Sequence, residues 1–198
     1  MRTINNKLNK INNKKFINSI KSSIIKILEK YKFLEETNAR FSPEAIELAA
    51  KFSLIISKRL LQTVDTYITP EIIYKNAEKY LKGELKYHSL HQSRKVFLSN
   101  KPIKNKISKS TTQSTNQPTN QPTNQSTTQI NFKVFRYLLP KNKSISNIGS
   151  TSLAYIIEYI ITELLELSTI QANNIIFPED IVSIITKDHE LKSCITNM

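Results

Sequence analysis

Two half-chains built to one plan flank a stretch that cannot join a core. From Lys101 to Gln129 the sequence reads KPIKNKISKSTTQSTNQPTNQPTNQSTTQ. It consists largely of Thr, Asn, Gln, Ser and Pro in TNQP and TNQS repeats, the composition of a linker with little to bury. On each side lies one long segment with apolar residues at helical spacing, then a short Pro-marked turn carrying Ile or Tyr, then a shorter helical segment. Neither half can close a core alone. The predicted fold is therefore all-α, with two helical units sharing one core inside a single polypeptide. The expected organisation is a disordered basic arm over residues 1–16, a first unit over 17–100, a linker over 101–129 and a second unit over 130–198. Roughly 30 flexible residues would span on the order of 30 Å, which keeps the two units at high effective concentration.

Charge narrows the partner. The formal net charge is +13, which points to a polyanion, either nucleic acid or an anionic membrane surface. Roughly 23 of the 29 Lys and Arg residues precede Ser110, so anion contact falls mainly to the first half. The single cysteine, Cys194, excludes an internal disulfide framework or a multi-Cys zinc site and suits a reducing intracellular compartment. The N-terminal MRTINNKLNKINNKKF has no continuous apolar stretch of the secretory kind. No window holds the roughly 18 apolar residues of a membrane span, because the best run, Leu153 to Leu167, is broken by Glu158, Glu163 and Glu166. Two glycines and no tryptophan argue against a Gly-rich phosphate loop or a β-rich fold.

Helix signals are clear along both halves. Ile20, Ile24, Ile27, Leu28 and Tyr31 predict an amphipathic helix from Ile17 to about Leu34. Ser42 as N-cap, Pro43 at the first position, and Glu44 and Glu47 in the first turn open a long helix. Its stripe is Ala45, Leu48, Ala49, Phe52, Ile55, Ile56, Leu60 and Val64, about six turns. Thr69 and Pro70 restart a helix bearing Ile73, Ala77, Tyr80 and Leu81, and Gly83 separates it from a terminal helix over Glu84 to about Asn100. In the second half a short helix around Lys133 to Leu139 precedes a polar loop containing Gly149. A long helix from about Ser152 to Ser168 turns Leu153, Ile156, Ile157, Ile160, Leu164 and Leu167 inward. Asn173 and Asn174 then turn the chain, Ile175 to Phe177 is β-like, Pro178 opens a helix with Ile181, Ile184 and Ile185, and a last helix starts near Asp188.

Short helix, loop, long helix, loop, short helix is the order of the histone fold, and it occurs twice. LAYIIEYIITELLEL followed by IIFPEDIVSII and KDHEL resembles histone 2A over most of Phe132 to Ile195. Phe41 to Val64, then ITPEII and LKGELKYH running to Phe97, resembles histone 2B. The fusion of the two resembles the histone doublets of giant DNA viruses. The resemblance implies two histone folds in an intramolecular handshake and a DNA-packaging role. The implied partners are double-stranded DNA, a histone 3/4-like partner and arginine-anchored chromatin proteins, with no membrane. The implied location is the nucleus or viral factory of an infected cell, or the virion.

The resemblance also assigns residues. In the histone fold, phosphates meet helix N-termini and paired loops. The matching positions are Arg40, Ser42 and Thr69 in the first half and Lys133, Arg136, Asn173 and Asn174 in the second, with Lys14 and Lys15 from the arm. Read singly, these are also compatible with ordinary solvated charges and caps. Glu84, Glu158, Glu163, Glu166, Asp188 and Glu190 fall at the acidic patch that receives arginine anchors, although a solvated helix face would look alike. The chain departs from the family in several places. Asp65 or its neighbours, and Ile175, stand where basic residues are expected, the loop SISNIGSTS lacks the arginine expected near Ser144, and His189 and Gln92 stand where carboxylates are expected. The sequence also ends soon after Ile195, without the tail by which histone 2A docks on its tetramer. Weaker contact per site would leave more to Lys101, Lys104, Lys106 and Lys109.

Other chemistry is thin. His88, His91 and His189 lack companion cysteines for a metal site, no catalytic constellation is evident, and neither enzyme activity nor a cofactor is expected. Two readings compete with DNA packaging: a stand-alone histone-fold pair of the transcription-factor kind, and a helical adaptor for protein partners.

Overall fold

The computed structural model describes residues 2–31, 39–99, 128–171 and 174–196, and for 2–11, 96–99 and 171 the backbone only. Most of the expected linker, and Asn173, lie outside the described residues. The described chain is mostly helical, its helices joined by turns and four two-residue strands. In the first half α1 spans Arg2–Lys30, β1 Arg40–Phe41, α2 Pro43–Leu60, β2 Tyr67–Ile68, α3 Pro70–Tyr80 and α4 Gly83–Ser99. The second half has a 3₁₀ helix at Phe132–Leu138, β3 at Ser144–Ile145, α5 at Asn147–Gln171, β4 at Ile175–Ile176, α6 at Pro178–Lys187 and α7 at His189–Thr196.

The two halves clasp crosswise. β1 pairs in parallel with β4, and β2 with β3. Each bridge therefore joins the strap before one long helix to the strap after the other. Helices α2 and α5 start at opposite ends and pack against each other, burying Ala45, Ala49, Phe52, Ile56 and Leu60 with Leu153, Ile157, Ile160, Ile161 and Leu164. Each fully buried Leu, Ile or Phe contributes about 1.5–3 kcal/mol, and the buried side chains of both halves form one cluster. Buried hydrogen bonds reinforce the join. The Tyr74 hydroxyl lies 3.0 Å from Ser152 Oγ, and Ser93 Oγ donates to the Ser152 carbonyl at 3.0 Å.

Several boundaries differ from the sequence reading. Residues 2–16, expected to form a disordered arm, belong to α1, which runs unbroken to Lys30 rather than to Leu34. Phe16, Ile20, Ile24 and Ile27 are fully buried at helical spacing, so the costly nucleus is anchored in the core. Each further residue then needs only propagation, which Lys favours and Asn tolerates. The first long helix stops at Leu60, and Val64, expected in its stripe, is 96% exposed. The stop is fixed by Asn76, whose amide donates to the carbonyls of Leu60 and Gln62 at 2.9 and 2.7 Å. Gly149 lies inside α5 instead of a loop. Ser146 Oγ accepts from Gly149 N at 2.9 Å as the cap, and a Cβ at Gly149 would stand 2.9 Å from that oxygen. Finally, Thr128 and Gln129, assigned to the linker, dock on Glu158.

Candidate nucleic-acid interface and acidic face

One end of the clasp is built on the β1–β4 bridge. Asn174 takes a left-handed φ of 58°, which Asn tolerates better than most residues, and its carbonyl accepts from Arg40 N at 2.7 Å. Ser42 N donates to the Ile176 carbonyl at 3.0 Å, while Ser42 Oγ accepts from Ala45 N at 3.1 Å and caps α2. Arg40, Ser42 and Asn174, from different halves, are thus neighbours. The local field is mixed, because Glu44 sits in the first turn of α2 and Glu179 and Asp180 in that of α6. Asp180 Oδ2 already accepts from Phe177 N at 2.8 Å. The positive dipole end of α6 is largely answered from within.

The other end, on the β2–β3 bridge, is also mixed in charge, since Glu71 sits in the first turn of α3 and Asp65 in the turn before β2. Ser144 N donates to the Thr66 carbonyl at 2.8 Å and Ser146 N to that of Ile68 at 3.0 Å. This brings the start of α5 beside Thr69 at the start of α3. Thr69 occupies the cap position there, although its side chain makes no capping bond. Helix α5 carries no acidic residue in its first turn. Arg136 Nη2 donates to Asn147 Oδ1 at 3.0 Å, and Lys143 Nζ to the Thr63 carbonyl. Lys143 was not singled out by sequence reasoning, and its signal was only a Lys next to the Ser144 strap.

Between the ends, α1 packs on the 3₁₀ helix. The rings of Phe16 and Phe135 are 5.9 Å apart, and Lys15 Nζ lies 5.9 Å from the Tyr137 ring centroid. Lys14, Lys15, Lys133 and Arg136 are all exposed. Arg40 stands at one bridge and Lys143 at the other.

The acidic face divides in two. Glu163 lies near Glu166, Asp188 and Glu190, and Glu84 adjoins Glu190 through its backbone amide, at different degrees of exposure. Burial, followed by Glu166, pushes the Glu163 carboxyl above the usual range, against a hydrogen bond from Tyr159; Asp188 and Glu190 add smaller upward effects. Burial, with Glu163 next, also pushes the Tyr159 phenol up to about 12. Glu84 is exposed and pairs with His88 at 3.0 Å. Asp188 Oδ1 caps α7 through Leu191 N at 2.8 Å. Glu190 receives the first amides of α4, from Glu84 N at 3.0 Å and Leu85 N at 2.7 Å.

Glu158 does not belong to that surface. It is buried, and its Oε2 accepts from Thr128 Oγ1, from Gln129 N at 2.6 Å and from Ile130 N at 3.3 Å. The first described residues after 127 are tied down by it, and Ile130 beside them is buried. Its sequence context, between Ile157 and Ile160 on an otherwise apolar run, was the available signal for a buried carboxylate.

Arg59 is the main residue sequence reasoning missed. It is buried and donates to the carbonyls of Ser193 at 3.4 Å, Cys194, and Ile195 at 2.9 Å. A first-half cation thereby closes the C-terminus of the last second-half helix, where the dipole is negative. Cys194 is buried beside it, its thiol pushed up to about 12 by burial despite the guanidinium. Among the described residues no helix is long and apolar enough to cross a membrane.

No family model matches the chain, and no curated protein matches it.

Proposed function

We propose that this protein packages DNA as a histone doublet, wrapping the duplex in nucleosome-like particles with a partner resembling histones 3 and 4. The observation that carries this reading is the crosswise pairing of β1 with β4 and β2 with β3. It places helix starts from both halves at each end of the clasp, in a chain of net charge +13. Such an arrangement meets phosphates and reads backbone and deformability instead of base sequence. The end at α5 brings Arg136, Lys143 and an acid-free first turn of α5 together with Glu71 of α3. The end at Arg40 has Glu44, Glu179 and Asp180 in its first turns.

The gathered carboxylates of Glu163, Glu166, Asp188 and Glu84 supply a second surface for an arginine of a chromatin-binding partner, since carboxylates receive guanidinium bidentately. Mixing the chain with a histone 3/4-like tetramer and about 150 base pairs of DNA, then digesting with nuclease, tests the packaging role. The expected outcome is protection of a discrete length across unrelated sequences. Footprints confined to particular sequences would favour a transcription-factor-like pair, and no protection would favour a protein adaptor. DNA affinity should fall steeply with salt, with a logarithmic slope of about 0.9 per neutralised phosphate.

A further inference from the structure

A small cavity of about 150 Å³ opens between the end of α1, α4 and the middle of α5, lined by Tyr31, Tyr155, Tyr159, Glu158, Gln92 and Thr162. Three phenol rings and one buried carboxylate stand around this small space. Drug-sized ligand pockets start at about 300 Å³, so the space suits a group no larger than the head of a side chain. Aromatic faces carry negative charge density and attract cations, most strongly where water is excluded.

Two observations show which chemistry the place favours. Lys30 Nζ already lies at its rim, 5.2 Å from the Tyr31 ring centroid and 3.9 Å from Glu158 Oε1. The carboxylate is also used unevenly. Oε2 holds the three donors of Thr128, Gln129 and Ile130, whereas Oε1, among the described residues, has only that long contact with Lys30. The anchored strap fixes Glu158 with one oxygen still able to receive a cation.

We propose that this tyrosine-walled cavity is a binding site for an alkylammonium side chain, a lysine or methylated lysine presented by a basic protein segment. The rings of Tyr31, Tyr155 and Tyr159 would contact the carbons next to nitrogen, and Glu158 Oε1 would answer the charge. Lys30 acts as a resident competitor at the rim, displaced when the partner's cation enters. The inference is independent of DNA binding and uses none of the carboxylates of the acidic face.

The test uses the full chain and trimethyl-lysine amide as probe, with its neutral tert-butyl isostere as control. The protein has eight tyrosines and no tryptophan, so tyrosine fluorescence and aromatic NMR shifts report on the site directly. Trimethyl-lysine amide should bind at least about tenfold more tightly than the isostere, the range expected for cation–π contact. Tyr155→Leu, which keeps an apolar wall, should weaken binding about fivefold or more with an unchanged circular dichroism spectrum, on the same basis. Lys30→Ala should strengthen it by removing the competitor. Equal binding of cation and isostere, or failure of Lys30→Ala to raise affinity, would overturn the proposal. So would the absence of any tyrosine perturbation in both the native chain and Lys30→Ala at probe concentrations in the tens of millimolar.

Discussion

The carboxylate of Glu190 occupies the space that a side chain at Gly83 would need. A Cβ built there would stand 1.7 Å from Glu190 Oε1, and Gly83 itself has φ +49°. The glycine lets the chain bend left-handed into α4 and lets a carboxylate from the other half reach the amides of Glu84 and Leu85. Gly83→Ala should cost about 1–3 kcal/mol for the left-handed backbone alone, plus about 0.5–2 kcal/mol for the lost cap. Glu190→Ala should cost the cap only. Because both changes break one contact, the double variant measured by urea denaturation should be less destabilised than the sum of the two.

Arg59 performs the converse task at the other pole of a helix. Its guanidinium closes the carbonyls of Ser193, Cys194 and Ile195, so Arg59→Ala leaves buried acceptors without their donor. A hydrogen bond to a charged group is worth about 1.5–3 kcal/mol, and a loss of that order is expected in equilibrium unfolding. Hydrogen exchange should show the loss concentrated in residues 189–196. Arg59→Lys should recover only part of it, because an ammonium cannot span carbonyls as a planar fork does.

These two contacts mark where sequence reading stops. Apolar periodicity placed Ile20, Ile24, Ala49, Phe52, Ile160 and Leu164 correctly in a core shared by both halves, since periodicity reports which face is buried. Ser42, Pro43, Pro70 and Pro178 marked helix starts, because cap chemistry is local. A charge gives no such local sign of its partner. Arg59 meets carbonyls more than 130 residues away, and Glu190 meets amides more than 100 away, so neither contact is legible in the sequence. Arg59 did stand three residues after Ile56, on the apolar side of its helix. Residues 2–16 misread for the opposite reason. Their composition is that of a disordered arm, while their conformation is set by Phe16 and the turns after it.

Glu163 makes stability fall as pH rises. Its folded pKa lies above the unfolded value of 4.5, chiefly through burial and then through Glu166. Between those two values the folded state binds more protons than the unfolded state, so unfolding free energy declines with increasing pH. Glu163→Gln removes that decline. The melting temperatures of the two proteins should therefore diverge from about pH 4.5 upward, the variant becoming the more stable. Convergence at neutral pH would show that Glu163 ionises in the folded protein without penalty.

The two halves should hold together without a covalent connection. The two bridges, the Tyr74–Ser152 contact at 3.0 Å and the Glu190 and Arg59 caps all run between them. Cleavage at a protease site placed near Gln121 should leave fragments that co-elute as one particle with undiminished helical circular dichroism. The midpoint of unfolding should become concentration-dependent, since association is then bimolecular. Separation and aggregation of the fragments would mean that the shared core is too weak to act without the link.

The acidic residues should separate into two classes on mutation. Glu158→Ala removes the acceptor for Thr128, Gln129 and Ile130 in a buried setting, at a cost of about 1–3 kcal/mol for donors left unsatisfied. Since Glu158 lies off the exposed cluster, binding of an arginine-anchored peptide at native temperature should be little changed. Replacing Glu163 and Glu166 together by Ala should do the reverse. Tyr159 and Glu163 lose a 3.5 Å contact, and like-charge repulsion within the cluster is relieved, so stability should hold or rise while peptide binding is lost. DNA affinity in that double variant should stay level or increase slightly, because the change removes two negative charges from a chain of net charge +13. Retained peptide binding would reduce these carboxylates to a solvated face, and a stability loss matching that of Glu158→Ala would place them in the core's hydrogen-bond framework instead.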